Sequence, residues 1–335
     1  MGADTSVYTS TGANFKIAMD GASITSNGNA LIGFTYQNMG FFVGVVVCSL
    51  TGTTINAGSI NSIYNDTSSQ TNCGCSTFYL AGQSINIIWY FHGAATSSWQ
   101  VAACTTSGTT TTFGSPITSY VNNGSGPYNL TNFYTQVREY IFSSNSIAAW
   151  QINTPGGGSV SALEVLSFSG TAITSVAHQA VSTGGMQANG IVYDTYNNSL
   201  YWYEFSTTSV GNGNIGTSLG GTTSGTTFSQ YVVTSSGITQ TLIPVQGQGF
   251  ALQNAWQPLY GGKGGLVLAG LSSVNPINQS RYAIVDGNGL SSGDCIMNGA
   301  FQCTGENPGL NLENNILCFI SDANTAYNYI VELPI

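Results

Sequence analysis

Apolar residues in this chain alternate or cluster in runs of four to eight, and Gly, Asn and Ser punctuate them. That spacing predicts β-strands throughout and no amphipathic helix, because no 3.6-residue apolar stripe recurs. The six most apolar runs are NALIGFTY from Asn29, SINIIWYF from Ser84, NSIAAWQI from Asn145, NSLYWYEF from Asn198, GGLVLAGL from Gly264 and NNILCFIS from Asn314. They begin 50 to 66 residues apart and divide the chain into similar parts. A second signature follows the first four runs: LTGTT around Gly52, TSGTT around Gly108, FSGTA around Gly170 and TSGTT around Gly225. CSLTGTTINAGS at 48–59 and CTTSGTTTTFGS at 104–115 show the likeness best, with Cys, Gly, paired Thr, Gly and Ser at matching offsets. Each repeat predicts a small antiparallel sheet. Its second strand is apolar on both faces, its outer strand is wetter, and the glycine supplies the positive φ of a tight hairpin.

Periods of about this length, with about four strands each, belong to β-propellers, whose blades cannot bury both faces alone. The expected fold is therefore an all-β, six-bladed β-propeller of four-stranded antiparallel blades. A single domain spans 1–335, with blades near 20–65, 66–125, 126–185, 186–238, 239–310 and 311–335 plus 1–19. FKIAMD at 15–20 is expected to pair with the C-terminal strands NNILCFIS and YIVELPI, closing the ring and removing two exposed edges. The stretch 239–313 lacks a clear S-G-T-T signature and carries DGNGLSSGDC, so a distorted blade or an insertion is expected there. Tandem β-sandwiches space their strands similarly, but do not require the two chain ends to complete a sixth period.

Charge changes the picture more than any other property. Hydrophobic residues make up 42% of the 335, enough for a real core, yet only 5% are charged, against about a quarter in an ordinary soluble domain. The cations are Lys16, Arg138, Lys263 and Arg281. Four scattered cations make no phosphate-binding patch and no polybasic membrane surface. In strong acid the 13 carboxylates would be largely protonated and few cations would remain, so an acidic extracellular habitat fits this composition. No run reaches the roughly 18 apolar residues of a membrane span; FFVGVVVCSL at 41–50 is about a strand long. GADTS after Met1 has neither a basic nor an apolar leader region, so no signal peptide is expected.

Candidate chemistry is thin. The cysteines are Cys48, Cys73, Cys75, Cys104, Cys295, Cys303 and Cys318, without a C-x-x-C pair, and only His92 and His178 could join them, so zinc is not expected. Cys295 and Cys303, in DCIMNGAFQC, could close a small disulfide loop. Asp286, Asn288 and Asp294 have the oxygen donors of a calcium loop, although their spacing leaves the D-x-D-x-D-G pattern and Asp-Gly-Asn-Gly also makes a plain turn. Asn65, Asn123, Asn129, Asn197 and Asn278 are glycosylation acceptors by sequon. Trp99, Trp256 and Tyr260 could stack on sugars or simply pack. A propeller glycosidase would draw on Asp20, Glu139, Glu164, Asp194 and Glu204, which scatter among the blades. A three-arginine carboxylate grip fails with two arginines in the chain, and neither histidine has a G-x-S-x-G partner nearby.

The apolar N-x-x-x-x-aromatic strand, the strand after it, and S-G-T-T-x-T-F-G-S resemble the propeller repeats of some bacteriophage tail and receptor-binding proteins. They are also similar to propellers on archaeal surface and viral proteins, over residues 20–235. The resemblance implies a non-enzymatic, externally displayed module for attachment or assembly, with no binding residues to carry over. The expected location is extracellular, on a virion surface. Expected partners are other virion or appendage subunits and a cell-surface glycan or protein, with no nucleic acid, no membrane insertion and no cofactor. A secreted carbohydrate-active enzyme and a subunit of an extracellular filament are the alternatives.

Overall fold

The computed structural model describes residues 17–37, 41–66, 75–92, 98–121, 137–151, 162–180, 187–194, 198–205, 218–219, 227–244, 250–258, 266–272, 280–286, 289–297, 310–312, 315–321 and 326–332. They form six sheets with antiparallel pairing throughout and no α-helix. The chain divides into two compact units, Met1–Ala180 with Ser235–Gly237, and Val181–Thr234 with Ile238–Ile335.

Three sheets make up the first unit. The first contains β1 (Ile17–Ile24), β2 (Ala30–Gln37), β3 (Phe41–Thr51), β4 (Thr54–Ala57) and β5 (Asn61–Asp66). The second contains β6 (Cys75–Leu80), β7 (Ile85–His92), β8 (Ser98–Ser107), β9 (Thr110–Phe113) and β10 (Ile117–Ser119). The third contains β11 (Val137–Ser143), β12 (Ser146–Gln151), β13 (Ala162–Ser169) and β14 (Ala172–Ala180). All six apolar runs become second strands, counting the fifth sheet from Phe250–Pro258, and Ile85 to Tyr90 of β7 are buried without a break.

The two matching dodecapeptides fold alike. In both, the third strand turns at a glycine with positive φ, Gly52 at 61° and Gly108 at 59°, and Gly170 at 57° does the same in the third sheet. The fourth strand is then cut in two. β4 and β5 pair with successive halves of β3, and β9 and β10 with successive halves of β8. Gly58 and Gly114 mark the cuts, donating their N–H groups to Val47 O and Ala103 O at 2.9 Å. A Cβ at Gly58 would collide with Thr109, and one at Gly114 with Thr171, residues in the hairpins of the next sheets. The motif's second glycine thus admits the following sheet's Gly-Thr turn.

Amides reinforce this stacking. Asn29 Nδ2, from the β1–β2 turn, donates to Gly108 O at 3.0 Å. The Gly170 N–H donates to Gln83 Oε1, from the β6–β7 turn, also at 3.0 Å. Asn86 Nδ2 in β7 reaches back to Ser23 Oγ and Ile24 O in β1. One apolar cluster (Leu31, Val43, Val45 and Val47 with Ile88, Tyr90, Ala102 and Cys104) lies between the first and second sheets. Another (Ile85, Ile87, Trp89 and Val101 with Val137, Ile147, Leu166 and Phe168) lies between the second and third.

In the second unit, the fourth sheet orders Gln187–Asp194, Ser199–Phe205, Thr227–Thr234 and Gly237–Pro244. The fifth orders Phe250–Pro258, Leu266–Ser272, Ser280–Asp286 and Gly289–Met297, with Ser218–Leu219 added beside the first. The sixth is Leu310–Leu312, Asn315–Ser321 and Ala326–Glu332.

Two sequence expectations change. Ile17–Asp20 of FKIAMD belong to β1, where Ile17, Ala18 and Met19 pair with β2, so this segment founds the first sheet. Gly225 precedes the third strand of its sheet, whose hairpin turns at Ser235 and Ser236, so Gly225 is not the equivalent of Gly52. The stretch expected to be distorted holds four consecutive antiparallel strands, with register shifts between Leu252 and Ala255 and between Ser280 and Tyr282.

Candidate acid cluster on the third sheet

Strand register assembles the most chemically distinctive group among the described residues. Glu139 on β11 pairs with Ala149 on β12, Ala149 with Glu164 on β13, and Glu164 with His178 on β14. Directly paired residues share a face, so two carboxyls and an imidazole stand in one row on the face that carries Ala149 and Leu166 into the core. A bulge completes the set. Ala177 pairs with Val165 but Ser175 with Leu166, leaving Val176 as the extra residue. Without it Ser175 and His178, three apart, would point to opposite faces; with it both share the face of Glu164.

Glu164 is fully buried. Its Oε2 accepts a hydrogen bond from Ser119 Oγ at 2.7 Å and one from the Tyr120 N–H at 3.0 Å, both from the segment ending β10 in the second sheet. Oε1 has no hydrogen-bond partner; Ser175 adds a weaker pull without bonding geometry. Burial outweighs these donors and raises the Glu164 pKa. The Tyr120 ring, itself 37% exposed, lies flat on His178, with centroids 3.6 Å apart and planes 2° from parallel. Glu139 is half-buried, and burial pushes its carboxyl up to about 7 against the opposing pull of the adjacent Arg138.

This is not a hydrolase triad. Ser119 bonds directly to the carboxylate, and His178 stacks on a tyrosine instead of standing between the two. The register rows of Glu139, Glu164 and His178 depend on strand pairing and a bulge that no local motif announces.

Other expected site residues are dispersed. Asp20 is the extra residue of the bulge in β1, and Asp194 ends the first strand of the fourth sheet. Glu204 lies on the second strand of that sheet, paired with Ala188 and Ser229. His92 ends β7 opposite Ser98. Asp286 closes a hairpin with Gly289, and Asp294 lies five residues further along that strand, which separates it from the turn by roughly 17 Å. Cys295 and Trp256 sit in strands of the fifth sheet, and Asn65 in β5. Asn288, Cys303, Tyr260, Asn123, Asn129, Asn197 and Asn278 lie outside the described residues. Trp99 is a core residue at 3% exposure, packed with Trp89 and Val137, and offers no ring to a sugar. Cys48, Cys75 and Cys104 are buried; burial raises Cys104 to about 12, far from reactive range. No group of three or more metal-ligating side chains occurs among the described residues.

No family model and no curated protein matches the chain. Among solved structures it is similar to the β-propeller domain of the Trilobed protease from Pyrococcus furiosus, with a TM-score of 0.39 and 6% identity, covering 95% of this chain and 83% of that one. It is similar to the Pyrococcus horikoshii acylaminoacyl peptidase (TM-score 0.37, 8% identity, 95% of this chain and 45% of that one). A prolyl endopeptidase gives 0.38 and 11%, covering 94% of this chain and 39% of that one. The chain spans less than half the length of the last two. These similar structures are named as peptidases, which overturns the expectation of a non-enzymatic virion or appendage module and, with it, the expectation that the chain is no enzyme. TM-scores below 0.5 put no particular activity in its place.

Proposed function

We propose that the six sheets are the blades of one β-propeller and that the chain is a carboxylate-type hydrolase acting on extracellular carbohydrate. The observation that carries this reading is Glu139, a half-buried carboxyl held near neutral pKa on the first strand of its sheet. First strands border the axial channel of a propeller. A carboxyl that still holds its proton near neutrality is a general acid for glycosidic oxygen, and burial is how such groups are tuned. Asp20, at the bulge of another first strand, is the proposed second carboxylate. Carbohydrate is favoured over peptide because the described residues offer carboxyls and no serine activated by histidine. Few charges and a wealth of hydroxyl and amide side chains suit work outside the cell.

The test is turnover of a panel of neutral polysaccharides and aryl glycosides by the purified protein and by Glu139→Gln. The expected loss in kcat is about 10²- to 10⁴-fold with the fold intact. Glycan binding without turnover, or a Glu139→Gln variant as active as the parent, overturns the proposal.

A further inference from the structure

We propose that Glu164 is a pH-gated latch joining the second sheet to the third: neutral, it holds the end of β10 against β13, and ionised, it releases it. The proposal is independent of any catalytic role for Glu139. Three geometric facts carry it. The carboxyl is fully buried between two sheets of one unit. Its two hydrogen bonds both cross to the other sheet, gripping a side chain and a backbone N–H in successive residues. Its second oxygen has no bonded partner, so a full negative charge there would be poorly solvated.

The surroundings offer little to offset that charge. From β11 the facing titratable group is Glu139, itself acidic; from β14 it is His178, directly paired; from the β10 segment it is Tyr120. β12 contributes Ala149 at the same level. Arg138 adjoins Glu139 but alternates to the other face of β11. Burial outweighs the donors to Glu164 and favours its protonated form in the fold. As the folded protein holds the proton more tightly than the unfolded chain, latch stability is full in acid and falls as pH rises above the unfolded value. Release frees the Tyr120 N–H and lifts the tyrosine off His178.

The decisive readout is hydrogen exchange at the Tyr120 amide, corrected for intrinsic rate, from pH 4 to 8. Protection is expected to drop by up to about tenfold per pH unit within the titration window. Glu164→Gln is expected to remove that dependence, and its thermal stability relative to the parent should improve as pH rises. His178→Phe, which keeps a ring on Tyr120 but cannot titrate, is expected to keep the dependence. Constant Tyr120 protection across the range overturns the latch even if Glu164→Gln does not fold. A dependence retained in Glu164→Gln, or lost in His178→Phe, also overturns it.

Discussion

At the scale of single residues, the glycines and the acids have separate physical roles. Gly52, Gly108 and Gly170 hold left-handed backbone with open space around the missing Cβ, so conformation alone decides their cost. Gly108→Ala is expected to lower stability by about 1 kcal/mol, read from chemical denaturation. Gly114 has a different constraint: a methyl there meets Thr171 of the next sheet, backbone included. Gly114→Ala should therefore cost more, about 2–3 kcal/mol, and a smaller effect than that of Gly108→Ala would refute the lock. For Glu139, the folded-state value of about 7 exceeds the ordinary 4.5, so its contribution to stability is whole below pH 4.5 and lost as pH rises toward 7. Melting temperature across that window should fall less steeply in Glu139→Gln than in the parent.

At the scale of elements, much was legible because each sheet repeats one local grammar. All six apolar runs are second strands, and the motif around Gly52 and Gly108 builds the same broken outer strand twice. Gly225 misled because Ser-Gly-Thr-Thr is common wording in a Ser/Thr-rich chain; the fourth sheet turns instead at Ser235–Ser236. Trp99 takes the packing role of the two its sequence position left open, entering the core from β8. The row from Glu139 to His178 was illegible for a deeper reason. It needs the register of four strands and the extra residue Val176, which are properties of pairing and not of any segment. Between elements, Asn86 ties two sheets, with one amide serving Ser23 and Ile24 of the neighbouring sheet. Asn86→Leu should destabilise by about 1–3 kcal/mol, and amide exchange should rise first in β1.

At the scale of the whole molecule, scarcity of charge and carboxyls raised by burial point the same way. A chain with 13 acids, four cations and two buried or half-buried acids that favour protonation loses little on acidification. The same burial that suits Glu164 to bind two sheets suits Glu139 to deliver a proton, since both hold protons above the ordinary carboxyl range. The most direct measurement is the pH profile of kcat on the best neutral glycan substrate from the panel, for parent and Glu139→Gln. The account predicts a rate that falls as pH rises through about 7 in the parent, and turnover reduced at least a hundredfold in the variant. Absence of any glycan turnover, or a falling limb that survives unchanged in Glu139→Gln, would contradict it.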